Sequence, residues 1–116
     1  MRKGDEMSDK VIIVEGNRDR RKVLSVLDED AEIICTNGTI GLEKLDELVD
    51  RLEGLDVYIL VDADDSGEKL RKQLRREMPN AKHLYIEPVY REVEDAPRTH
   101  VADVLQRANI LVKTIL

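Results

Sequence analysis

The chain has 116 residues, 41% of them hydrophobic and 38% charged, which is enough apolar material for one continuous core and too little length for a second. Its net charge of −6, from 25 acids against 19 Lys and Arg, excludes a surface that is cationic throughout, so any contact with nucleic acid must come from a local concentration of cations. The one cysteine, Cys35, excludes an internal disulfide, there is no paired Cys/His spacing for zinc, no run approaches the ~20 apolar residues of a membrane span, and Met1 to Met7 lacks the apolar centre of a signal peptide.

Residues 1–9 read as a polar lead-in and 10–116 as a single domain in a reducing, cytoplasmic setting. Val11 to Val14 is an unbroken apolar run, and residues 10–14 predict a buried strand; Val23, Leu24 and Leu27 recur at helical spacing and predict a helix over 18–28. Ala31 to Cys35 is a second short strand, closed by the turn Thr36-Asn37-Gly38-Thr39, where Asn and Gly tolerate positive φ. Leu42, Leu45, Leu48, Val49 and Leu52 form one helical stripe, with Gly54 as its stop.

Asp56 to Val61 is the third strand, and Ser66 to Met78 the third helix, with Leu70, Leu74 and Met78 on its apolar face and Pro79 ending it. Residues 82–87 predict a fourth strand, and the charged segment Pro88 to Arg98, with its two prolines, an exposed loop. A last helix over 99–109, capped by Thr99, buries Val101, Val104, Leu105 and Ala108; Ile110 to Leu116 either extends it or packs across an edge. Alternating strands and helices imply right-handed crossovers and an α/β, three-layer, Rossmann-like doubly wound sheet of about four mainly parallel strands with helices on both faces. In such a sheet strands 1 and 3 are neighbours where the winding reverses.

Two acidic clusters fall at that point. Glu15-Gly16-Asn17-Arg18-Asp19 follows strand 1, and Asp62-Ala63-Asp64-Asp65-Ser66-Gly67-Glu68 follows strand 3, at the carboxyl ends where open α/β sheets bind ligands. Asp62 and Asp64 share a face and suit Mg2+ or Mn2+, hard cations that take carboxylate and phosphate oxygens. Glu15, on the neighbouring strand, fits either a metal ligand or a general acid or base. Asp19, Asp65 and Glu68 rank behind them, Asp19 and Asp65 as turn or cap acids or as supports for the ligands, and Gly16 and Gly67 belong to the same second group, Gly67 as a close turn into a helix. Arg18, Arg20, Arg21 and Lys22 after the first cluster, and Lys69, Arg71, Lys72, Arg75 and Arg76 after the second, are the local cations able to grip phosphates without reading sequence.

A bland reading stands beside each of these: a charge run is usually a solvated helix face, and His100, alone near a helix start, is more often exposed than part of a crevice. Tyr58 and Tyr85 read as core and Tyr90 as a loop residue. With no Phe or Trp, an aromatic platform for bases is not expected.

Val11 to Asp19, a hydrophobic strand ending Glu-Gly-x-x-Asp, and Asp62 to Gly67, an Asp-x-Asp-x-x-Gly sequence, resemble the two signatures of the Toprim family. Thr36 to Thr39 and Gly67 to Arg71 look most like the Toprim domain of the 5S ribosomal RNA maturation ribonuclease and its small stand-alone relatives. The resemblance implies a Toprim fold, Glu15 as general acid/base, Asp62 and Asp64 on Mg2+, and a nuclease-like or nucleotidyl-transfer activity on RNA or DNA phosphodiesters. No domain with a nucleophilic tyrosine, zinc module or C-terminal extension is expected here, which argues against topoisomerase and primase activity and leaves recognition to a protein partner or a homodimer. The alternative is a non-catalytic module whose metal organises a nucleic-acid or protein contact. A receiver domain fits poorly, because Glu15-Gly16 is not an acid pair and no lysine follows the last strand; a haloacid-dehalogenase phosphatase fits worse, because its Asp-x-Asp lies on strand 1.

Overall fold

Val11, Ile12, Ile13 and Val14 have no exposed surface, so both faces of their strand are covered, the environment of a central strand in a parallel sheet. The computed structural model describes residues 9–114 and shows how that is achieved. In chain order the elements are β1 (Lys10–Val14), α1 (Asn17–Val26), β2 (Glu32–Cys35), α2 (Leu42–Leu52), β3 (Asp56–Leu60), α3 (Asp65–Glu77), β4 (Lys82–Leu84), a 3-10 turn at Val93–Asp95, and α4 (Arg98–Arg107). The lead-in before Asp9 and the last two tail residues lie outside the described residues.

The sheet order is β2-β1-β3-β4 and every neighbouring pair is parallel, with Ile13 opposite both Ile34 and Ile59. From β1 the chain steps outward to β2, then crosses back to β3 and on to β4. The winding therefore reverses between β1 and β3, as the alternation of elements implied. Successive strand residues point to opposite faces and build two cores. Ile12, Val14, Tyr58 and Leu60 pack with Val23 and Val26 of α1 and Val101, Ala102 and Leu105 of α4. Val11, Ile13, Val57, Ile59 and Val61 pack with Leu45 and Leu52 of α2 and Leu70 and Leu74 of α3. Burying a side chain of this kind stabilises by about 1.5–3 kcal/mol, so these two layers supply most of the folding drive. The turn after β2 holds Asn37 at φ 58° and Gly38 at φ 102°, and Gly54 at φ 84° stops α2.

Several local expectations are corrected. The fourth strand ends at Leu84 rather than 87, because the next residues leave the sheet so that Ile86 can join the α1/α4 core. Tyr85, expected in the core, is 56% exposed, and Leu42, expected in the α2 stripe, is 77% exposed; Leu24 on α1 is exposed as well. The 88–98 segment is not a free loop: Val93 and Ala96 are fully buried, and the Lys22 ammonium donates to the Ala96 carbonyl. Pro97 occupies the cap position of α4, so Thr99 lies inside the first turn and caps nothing. The tail does not extend α4 but packs on the end of α1. Ile110 is buried, Asp28 N–H donates to the Leu111 carbonyl at 2.9 Å and Lys113 N–H to the Val26 carbonyl at 2.8 Å.

Arg71 is the largest departure. Expected on the surface to meet phosphate, it is 1% exposed. Its guanidinium donates to the carbonyls of Ile59 and Val61 at the end of β3, each at 3.4 Å, and to that of Leu84 at the end of β4. Tyr85 covers the group with its ring 4.0 Å away, and the Glu68 carboxylate stands 3.6 Å from Nε. A guanidinium has only donors, so the 3.1 Å contact of Nη1 with His83 Nδ1 makes that nitrogen the acceptor and puts the imidazole proton on Nε2. Burial, then the Arg71 charge, push the His83 pKa below its ordinary value. Where the pairing of β3 with the short edge strand β4 runs out, this one side chain supplies donors to the carbonyls of both strands. Arg71→Met keeps the packing volume but strips three carbonyls of their donor, and should lower the unfolding free energy by about 2–4 kcal/mol in urea titrations.

Candidate metal centre

Because β1 and β3 are adjacent and parallel, Glu15 and Asp62 emerge side by side at their carboxyl ends. Glu15 Oε1 accepts from the Asp62 N–H at 2.9 Å, tying the two strand ends together. Asp62 Oδ1 accepts from the Val93 N–H at 2.8 Å, and Asp64 Oδ1 accepts from the Gly67 N–H at 2.8 Å as the cap of α3. Each carboxylate is thus oriented by a main-chain donor, with its second oxygen left for a ligand. Oxygens of all three lie within 4.8 Å of one another, and among the described residues none of the three forms an ion pair.

Gly67 makes the geometry possible. A Cβ there would sit 2.0 Å from the Asp62 carbonyl oxygen, so only glycine lets the first turn of α3 close against that peptide. Asp19 borders the cluster at 6% exposure, its Oδ2 accepting from the Gly16 N–H at 3.0 Å across the start of α1. Burial raises its pKa to about 6, reinforced by the charges of Asp62 and Glu94 and opposed by the Gly16 bond. Asp62 is also raised to about 6: burial contributes most, the Val93 N–H opposes it, and Glu15, Asp64 and Glu92 add to it. Clustered, all-oxygen and uncompensated, the donor set fits a hard divalent cation such as Mg2+ or Mn2+.

The other expected residues are distributed more widely. Asp65 and Glu68 are exposed on the first turn of α3, Glu68 turned to Arg71, and neither belongs to the carboxylate triplet. Arg18, Arg20, Arg21, Lys69 and Lys72 are exposed, whereas Lys22 is committed to Ala96 and Arg71 is buried. His100 accepts from the Glu87 N–H at 3.0 Å and its ring lies 4.9 Å from that of Tyr90, so it braces the segment after β4. Missed in the sequence was the wall formed by Glu92, Glu94 and Asp95, whose carboxylates also lie within 4.8 Å of one another. Its only trace in the sequence is Val93, a lone apolar residue among acids, whose burial puts its flanking acids at the rim.

Fold and site together define an α/β protein with a carboxylate cluster at the switch point of a parallel sheet. The Toprim domain profile matches residues 10–89, and the chain belongs to the Toprim family. It is 59% identical over 113 residues to the uncharacterized protein YusF of Bacillus subtilis, covering 97% of this chain and 77% of that one. It is 34% identical over 88 residues to ribonuclease M5 1 of Ligilactobacillus salivarius, covering 74% of this chain and 45% of that one, so it spans less than half the length of that relative. Among solved structures, a small TOPRIM domain protein from Bacillus stearothermophilus superposes with a TM-score of 0.89 at 56% identity, covering 93% of this chain and 92% of that one.

A folded-state pKa of about 6 against an ordinary 3.8 means that the native protein holds the Asp62 proton more tightly than the unfolded chain. That contribution is fully present below 3.8 and is lost as pH rises through about 6. In metal-free buffer with a chelator, Asp62→Asn, which keeps the Val93 acceptor, should exceed wild type in stability at neutral pH by about 1–3 kcal/mol, and the two should converge under acid conditions in urea titrations.

Proposed function

We propose that the protein is a metal-dependent nuclease of the cytosol, acting on nucleic-acid phosphodiesters with Mg2+ or Mn2+. The observation that carries this reading is the triplet Glu15, Asp62 and Asp64, pre-oriented by backbone N–H groups and, among the described residues, in no ion pair. Asp62 and Asp64 would hold the cation. Bound there, it supplies polarisation of a phosphoryl oxygen and offsets charge at the reacting phosphate.

The protein's own part is to orient and to move a proton. Glu15 Oε1 is fixed on the Asp62 N–H, so its Oε2 takes the proton of the attacking oxygen or returns one to the leaving oxygen. Arg18, Arg20, Arg21, Lys69 and Lys72 hold flanking phosphates without reading sequence; Arg71 is withdrawn from that set. RNA is the favoured substrate, because the likeness to ribonuclease M5 extends over most of this chain. A protein partner or a second copy would contribute to substrate recognition.

The test is cleavage of a labelled structured RNA. Wild type with Mg2+ should cleave and a chelator should stop it, while Glu15→Gln and Asp62→Asn, both folded, should each slow cleavage by about 10²- to 10⁴-fold. Cleavage that survives both substitutions contradicts the reading. Tight metal-dependent binding without turnover contradicts the enzyme and leaves a non-catalytic module.

A further inference from the structure

Beside the carboxylates, a groove of about 470 Å³ runs between α1 and the start of α4, lined by Arg18, Arg21, Lys22, Ser25, Glu94, Asp95 and Arg98. Four cations against two acids make it locally positive in a chain whose net charge is −6. Its walls are braced. Lys22 holds the Ala96 carbonyl, and Arg98 Nε donates to Ser25 Oγ at 3.2 Å while Nη2 donates to the Ser25 carbonyl at 2.9 Å. These bonds fix α1 to the segment before α4 and hold the Arg98 guanidinium at the groove mouth with Nη1 uncommitted. Among the described residues Arg21 makes no ion pair, and Arg18, though 3.6 Å from Glu94, is 79% exposed. Glu94, which lines the groove, also hydrogen-bonds the Asp19 carboxylate through its backbone N–H, so the groove adjoins the acidic crevice.

Resting on the nucleic-acid reading above, we propose that this groove carries the phosphodiester backbone flanking the reacting phosphate, with Arg98 a pre-organised phosphate clamp contributed by a different helix from the cations next to Glu15. Fixing a guanidinium before binding lowers the ordering cost of a bidentate phosphate contact. The basic residues were legible along α1, but only the packing of α4 on α1 places Arg98 with them. The strand then lies mainly along the α1/α4 side of the crevice, with weaker contacts from Lys69 and Lys72 on the α3 side, where the central arginine is buried.

The test measures fluorescence anisotropy of a labelled RNA hairpin, and of a DNA hairpin of the same sequence, against salt in the full chain with Mg2+. Arg98→Ala and Arg21→Ala should each weaken binding about 3- to 10-fold and reduce the slope of log K against log salt by about 0.7–0.9, while Lys69→Ala/Lys72→Ala changes both less. Arg21 makes no structural bond, so Arg21→Glu reads charge alone should Arg98→Ala disturb the α1–α4 contact; it should weaken binding further. Equal losses on both hairpins identify the backbone as the ligand, and a loss confined to one of the two hairpins overturns the clamp. Wild-type affinity in the groove variants, or a larger loss in the α3 variant, overturns this inference and leaves the nuclease reading standing. Failure of wild type to bind either hairpin at low salt overturns both.

Discussion

Carboxylates at the ends of β1 and β3 repel one another, and the local architecture is arranged to hold them together despite that. Main-chain N–H groups are the means. Glu15 is held by the Asp62 N–H, Asp62 by Val93, Asp64 by Gly67 and Asp19 by Gly16. Neutral donors fix direction without cancelling charge, unlike a lysine or arginine, which would neutralise the site. Burial first, and then the crowding of neighbouring acids, raises the pKa values of Asp19 and Asp62. Residual repulsion of this kind is what a divalent cation relieves.

Each donor in turn imposes a constraint elsewhere. For the Gly67 N–H to reach Asp64, α3 must start against the Asp62 peptide, which is why no Cβ fits there. For the Val93 N–H to reach Asp62, the segment after β4 must fold back over the sheet, which buries Val93 and Ala96 and leads into α4 where it packs with α1. The complementary problem, strand-end carbonyls without partners, is met by Arg71 with charge-assisted bonds to β3 and β4. Anionic side chains on main-chain donors and a cationic side chain on main-chain acceptors thus finish the same end of one sheet, and the positive groove between α1 and α4 follows from that folding back.

The parts legible in the sequence were those with a strong local signal. Continuous apolar runs gave β1 and β3, Asn37-Gly38 and Gly54 gave their turns, and acids placed directly after the strands gave Glu15, Asp62 and Asp64. Long-range partners decided the rest. Arg71 sits in a basic stretch indistinguishable by composition from a solvated face, and only the position of Leu84 and Tyr85 across the β4 edge turns it inward. Val93 is a lone apolar residue among charges, too weak a pattern to predict burial, although it orients Asp62 and lifts Glu92 and Glu94 to the rim. His100 carried no periodic signal either, and its bond to the Glu87 N–H exists only because the segment after β4 returns to α4.

The central claim is that an uncompensated carboxylate triplet at the switch point binds a divalent cation. Calorimetric titration of Mg2+ and Mn2+ into wild type and into Asp62→Asn/Asp64→Asn, in buffers of different ionisation enthalpy near pH 6, tests it most directly. The account predicts wild-type binding with proton release, as metal displaces the proton that Asp62 retains, and loss of both in the folded double variant. Wild-type binding that the double variant retains, or no binding by wild type at millimolar metal, would contradict it.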